Sequence, residues 1–198
     1  MSEPTAADVK DLRQKTGVGI MECKNALKEA NGDIDKAVEI LRKKGIAVAQ
    51  KKASRATNEG RITSYIHLGG KIGVMVEIGC ETDFVAKNED FITFTKNIAM
   101  HIAAANPSYL CREEVPAEFI EKEKAIFFEQ VKDKPQNIQE KILEGKIDKL
   151  MEEICLVDQK YVKDDKMKIK DYVTEVITQI GENIIIRRFV RYALGETK

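Results

Sequence analysis

Between Arg61 and Ile78 the apolar period of this 198-residue chain drops from helical to two, and no other feature constrains the fold as strongly. Ile62, Ile66 and Leu68 share one side of an alternating run, with Thr63, Tyr65 and His67 on the other. After Gly69-Gly70 a further run places Ile72, Val74, Val76 and Ile78 on one side. A helix repeats every ~3.6 residues and cannot segregate that pattern, whereas a strand alternates faces at each step. Glycines between the runs adopt positive φ without steric penalty, as hairpin turns demand. A lone hairpin is marginal in water, so a third strand is needed. The β-branched run Ile184-Ile185-Ile186, leading to Phe189, Val190 and Tyr192, is placed to supply it.

Helical patterns flank this region. Thr5 can cap a first helix with Val9 and Leu12 inward and Gly17 as its stop. A second runs from Met21 to Ala30, with Ala26 and Leu27 inward and Asn31-Gly32 as the break. Asp33 caps a third, whose Ile34, Ala37, Val38 and Leu41 recur at helical spacing until Gly45. Helices this short bury little surface, so the module is small and marginal alone. The polar, basic stretch from Gln50 to Gly60 reads as a helical linker. Beyond the hairpin, Asn88 caps a helix carrying Phe91, Phe94, Ile98 and Ile102, which ends before Asn106-Pro107. Pro116 opens another, marked by Phe119, Ile120, Ile126, Phe127 and Val131 and broken at Pro135. Ile138, Ile142, Ile147 and Leu150 imply one or two helices across Gly145, and Val173, Val176, Ile177 and Ile180 a last one closed by Gly181. The predicted fold is α+β. A small N-terminal three-helix module and linker cover residues 1–56, and a core with a three-stranded antiparallel sheet packed by helices covers 57–198.

Composition narrows the function. Basic and acidic side chains number 33 each, so net charge is zero, which argues against a binder that relies on nucleic-acid phosphates. A local excess remains: residues 1–56 hold 12 basic and 8 acidic side chains, largely through Arg42, Lys43, Lys44, Lys51, Lys52 and Arg55. A solvated helix face accounts for it better than an RNA patch. Cys23, Cys80, Cys111 and Cys155 are irregularly spaced, and the only histidines are His67 and His101, so neither a metal site nor a disulfide framework is expected. No nucleophile motif or phosphate loop is present. The first residues, Met1 to Asp8, lack the basic-then-apolar order of a signal peptide, and no apolar run reaches a bilayer's length of about 20 residues. The expectation is a cytoplasmic binding protein without enzymatic activity, cofactor or metal, and with no direct nucleic-acid or membrane contact.

Separated stretches carry a resemblance to a known family. The first runs Val9-Lys-Asp-Leu-Arg-Gln-Lys-Thr-Gly-Val-Gly-Ile-Met-Glu-Cys-Lys-Asn-Ala-Leu27 and continues into Asn31-Gly-Asp-Ile. The second is Cys80-Glu-Thr-Asp-Phe-Val85 with Ala86-Lys87, and the third Gly181-Glu-Asn-Ile followed by Phe189-Val-Arg-Tyr-Ala-Leu-Gly-Glu196. In this order they resemble the translation elongation factor Ts family. That resemblance implies a guanine-nucleotide exchange factor acting on elongation factor Tu, engaging both its GDP-bound and nucleotide-free forms. It implies that the N-terminal module docks on the partner's nucleotide-binding domain through Arg13, Ile20 and Met21. The loop Thr82-Asp83-Phe84-Val85 then enters beside the Mg²⁺ and phosphate site, with Phe84 as wedge and Asp83 as its polar companion. It further implies the cytosol of a bacterium, or an organelle of bacterial descent.

Longer members carry a second copy of the core unit, whereas this chain has room for one and stops at Gly195-Glu-Thr-Lys198. It is therefore expected to pair with itself as a homodimer. Glu22 stands where the family commonly has Asp. The first module also resembles a ubiquitin-associated domain, so a ubiquitin-type adaptor is one rival; an RNA-binding translation factor using the Arg42–Arg55 cluster is another. His101 is expected to be a hydrogen-bonded helix histidine rather than a ligand or base. Arg187, Arg188 and Arg191 are left between acidic neighbours and a partner surface.

Overall fold

Thr5 opens helix α1 (Ala6–Thr16) through a reciprocal capping box: its hydroxyl accepts from the Asp8 amide while the Asp8 carboxylate accepts from its own. Gly17, at φ 64°, closes the helix. Helix α2 (Ile20–Glu29) ends where Asn31 and Gly32 both take positive φ, and Asp33 caps helix α3 (Ile34–Lys52). Val9, Leu12, Cys23, Ala26, Leu27, Ala37 and Leu41 form one buried cluster among these helices. The structure, a computed structural model, describes residues 4–196; Thr197 and Lys198, singled out above as the chain's end, lie outside the described residues, as do Met1, Ser2 and Glu3.

The chain continues through strands β1 (Glu59–Ile66) and β2 (Ile72–Cys80), a single turn α4 (Asp83–Ala86), and helices α5 (Glu89–Ala105), α6 (Ala117–Glu129) and α7 (Gln136–Ile154). Strands β3 (Lys160–Tyr161) and β4 (Asp164–Lys168), helix α8 (Ile169–Ile180) and strand β5 (Ile185–Ala193) complete it. The three-stranded antiparallel sheet, in order β1-β2-β5, is the predicted one. Gly69 and Gly70 take positive φ as expected. The connection is longer than a Gly-Gly turn, however: Gly70 N donates to His67 O and His67 N to Ile72 O, both at 2.9 Å. One side of the hairpin is inward, with Val74 and Val76 buried and the Thr63 hydroxyl donating to Thr95 of α5 at 2.8 Å. The other leaves Ile62, Ile66 and Met75 exposed.

By its contacts the chain forms two compact units. One comprises the stretch through Arg61 with Ile78–Phe94 and Val173–Ile185; the other comprises Ile62–Glu77, Thr95–Tyr172 and the stretch from Ile186. In the first, α3 corrects the sequence reading. It does not stop at Gly45 but runs to Lys52, and the segment from Ala53 to the start of β1 is not a helical linker. Glycine in a helix interior costs about 1 kcal/mol yet does not forbid continuation. Its use here is close approach, because a Cβ at Gly45 would meet Thr178 Oγ1 of α8 at 2.9 Å.

In the second unit α6 and α7 pack as a helical hairpin, with Val115, Met151 and Cys155 at its base. α7 passes unbroken through Gly145. The β3–β4 pair was not anticipated; it is short, and its register slips between Lys160 and Tyr161. Nearby, Asp158 is buried and accepts from Arg112 Nε at 2.6 Å and Lys170 Nζ at 2.9 Å, while Arg112 Nη1 also reaches Asp148 at 2.8 Å.

Candidate functional site

The stretch after β2 leaves the sheet through Glu81 and turns at once. Thr82 is the N-cap of α4, and its hydroxyl accepts from Val85 N at 3.4 Å. No side chain of α4 is buried, and Phe84 is 82% exposed. An aromatic ring that open to water forgoes most of its transfer free energy, so neither packing nor solvation explains its place. Asp83 points to Lys87 one helical turn on, at 2.8 Å, and that cation holds its carboxyl below the usual range. Beneath the turn, burial and then the neighbouring Glu182 charge push the Cys80 thiol up to about 11. It therefore stays protonated near neutrality and donates to Thr82 O at 3.1 Å.

The residues that hold this turn lie about 100 positions later in the chain. Glu182 Oε2 accepts from the amides of Glu81 and Thr82, each at 3.0 Å, and its Oε1 accepts from the Thr82 hydroxyl at 2.6 Å. Glu81 Oε1 in turn accepts from Asn183 N at 2.6 Å, and buried Asn183 donates to Arg55 O at 2.9 Å. Gly181-Glu-Asn-Ile carries part of the resemblance, yet nothing in the sequence alone gives Glu182 or Asn183 a role. The available signal was the pairing of an acid-amide dipeptide after a helix-closing glycine with a donor-rich turn elsewhere.

Arg13, Ile20 and Met21 lie on the helical module of the same unit. Ile20 and Met21, opening α2, are 53% and 62% exposed, and Arg13 sits exposed on α1. Ile20 and Arg13 line a cleft of about 320 Å³ together with Ala6, Val9, Lys10 and Lys24. Thus Arg13 and Ile20 share one surface, whereas Thr82, Asp83, Phe84 and Val85 form a separate continuous turn. At the C-terminal end of α8, Gln179 Nε2 donates to Thr16 O of α1 at 2.9 Å, and Glu182 lies two residues beyond that helix.

Other singled-out residues have partners within the chain. His101 is buried; Val162 N donates to its Nδ1 at 3.3 Å, which places the ring proton on Nε2, facing Gln159 Oε1 at 2.9 Å. Burial lowers its pKa. Arg188 and Arg187 both reach Glu77, at 2.7 and 3.7 Å, and Arg191 pairs with Glu196 at 3.0 Å. In the basic cluster, Lys44 pairs with Glu29 at 2.6 Å, Arg55 with Glu81 at 3.4 Å, and Lys52 donates to Gly181 O. Among the described residues, no group of three or more His, Cys, Asp or Glu side chains is placed to hold a metal ion, and no helix is long and apolar enough to cross a membrane.

Fold and surface together define an α+β protein that displays an aromatic turn and, on the same unit, an apolar cleft with Lys10, Arg13 and Lys24 in its lining. Comparison with known proteins sharpens that class. The family model described as Elongation factor TS matches residues 4–196. The chain is 57% identical over 195 residues to elongation factor Ts of Thermodesulfovibrio yellowstonii, covering 98% of each. It is 57% identical to that of Geobacter sulfurreducens (97% of this chain, 90% of the relative) and 56% to that of Thermotoga maritima (95% and 94%). The chain belongs to the elongation factor Ts family, a family of translation elongation factors.

Proposed function

We propose that this chain is a guanine-nucleotide exchange factor, itself without catalytic turnover, that promotes GDP release from elongation factor Tu in the cytosol. The observation that carries this role is Phe84, an aromatic side chain held 82% exposed at the tip of an anchored turn. The module of residues 1–56 docks through Arg13, Ile20 and Met21. The core, residues 57–198, then brings Thr82, Asp83, Phe84 and Val85 against the partner's nucleotide site. Exchange follows from differential affinity: the factor must bind the nucleotide-free partner better than the GDP-bound one. Linkage is reciprocal, so GDP weakens the factor's grip by the same factor. An exposed ring suits that task, because its burial is gained only in the complex. The test is release of a fluorescent GDP analogue from elongation factor Tu. Phe84→Ala is expected to slow the catalysed release about tenfold, equivalent to ~1.4 kcal/mol of barrier. An unchanged rate would move the mechanism away from the wedge, and no acceleration by the wild type would reject the exchange role.

The same proposal includes self-pairing through the bare side of the sheet. Ile62, Ile66 and Met75 are 61%, 64% and 50% exposed there, and Leu68 and Leu194 are still more open at the hairpin end. Contiguous apolar surface of this kind favours a protein partner over water. Sedimentation should give the mass of two chains, and Ile66→Asp the mass of one; a single-chain mass for the wild type would reject self-pairing.

A further inference from the structure

We infer that Glu182 is the positioning residue of the Asp83-Phe84 turn: it fixes the backbone from which Phe84 is presented, and so sets exchange activity without touching the partner. The inference rests on the exchange role proposed above. A four-residue helix has no stability of its own, since helix nucleation is unfavourable and only longer segments recover its cost. Burial supplies only part of the difference, because Asp83, Val85 and Ala86 are half-buried and Phe84 is exposed. What remains is directional bonding at the helix start. The Glu182 carboxylate takes both successive amides that lead into the turn, Glu81 N and Thr82 N, together with the Thr82 hydroxyl. Bonds from neutral donors to an ionised acceptor are among the stronger ones, and three on one carboxylate fix both its plane and the peptide it faces.

The anchor is itself anchored. Glu81 returns a bond to Asn183 N, so the two strand ends exchange carboxylates across the gap. Asn183 is buried and ties the pair to the Ala53 and Arg55 carbonyls after α3. Thr82 also stays oriented as N-cap while its hydroxyl donates to Glu182, because a hydroxyl donates once and still accepts from Val85 N. Removing the carboxylate therefore frees two main-chain donors and the cap hydroxyl together, at the base of the turn rather than at its tip.

Glu182→Ala and Glu182→Gln, each alone and combined with Phe84→Ala, test this in the full chain. Amide hydrogen exchange of the free protein comes first. Glu81 and Thr82 should lose protection at least about tenfold in Glu182→Ala while α1 and α3 keep theirs. Unchanged protection of those amides overturns the positioning role whatever the activity. GDP release from elongation factor Tu follows. Glu182→Ala should slow it about as much as Phe84→Ala, and the double variant should be no slower than either single one, since residues acting as one unit are not additive. Glu182→Gln, which keeps one acceptor oxygen, should recover part of both signals; it also carries the test if the alanine variant does not fold. Effects that multiply in full would overturn the inference. A wild type with protected amides but no effect on GDP release would reject the exchange role alone, leaving the amide result to judge the anchor.

Discussion

Asp158 and Glu182 are two sheltered carboxylates, one in each compact unit, and they are satisfied in opposite ways. Asp158 faces cations, Arg112 and Lys170, with Asp148 sharing the arginine. Glu182 faces two backbone amides and a hydroxyl. Charge attraction falls off gradually with distance and tolerates many side-chain geometries, so the Asp158 node is suited to tying segments together. Amide donors are fixed to the main chain, so the Glu182 node specifies where a peptide lies. The molecule uses ions where elements must stay together and amides where a residue must be presented.

The strongest way to break that contrast is at Asp158. Asp158→Asn should destabilise the fold by about 2 kcal/mol, below the range for fully buried pairs because both cations reach water. Urea unfolding measures it, and a loss under about 0.5 kcal/mol would make the node dispensable. The acid response carries the same information. Burial disfavours the Asp158 charge, but hydrogen bonds from Arg112 and Lys170 outweigh it and hold the pKa below its ordinary value. The native state then keeps this group ionised at pH values where the unfolded chain has already protonated it. Its stabilisation is full above the unfolded value of about 3.9 and is lost as pH falls through the folded one. Asp158→Asn should flatten the stability–pH curve in that acid window and leave the curve above about pH 6 parallel to the wild type.

Two helical glycines sharpen the comparison at smaller scale. Gly45→Ala should cost about 1 kcal/mol, because the gain in helix propensity is outweighed by the displacement of Thr178. Gly145 has nothing within 4 Å of the place a Cβ would take. Gly145→Ala should therefore stabilise α7 by about 0.5 kcal/mol, read as a raised melting temperature. Equal responses at the two positions would mean that the first unit does not depend on close approach.

Local signals made much of the fold legible. Thr5, Gly17, Asp33 and Gly181 act within a turn of their own position, so the helix ends they govern were readable. The hairpin was readable because period-two alternation has few other solutions. Gly45 was misread because its meaning depends on Thr178, far along the chain. The β3–β4 pair escaped because Asp164-Asp165-Lys166 carries no apolar alternation. At the candidate site the tip residues were visible through resemblance. Their support was not, since the Glu182 contacts join segments about 100 residues apart and no periodicity reports such a meeting.

The placement of the anchor at the base of α4 leaves the exposed Phe84 side chain with little structural duty. A library randomised at Phe84 would therefore stay largely folded and soluble, and a selection on it would sort variants by recognition rather than by survival of the scaffold. The turn is in effect an interchangeable tool held in a fixed chuck, and new partners can be sought by changing the tool alone.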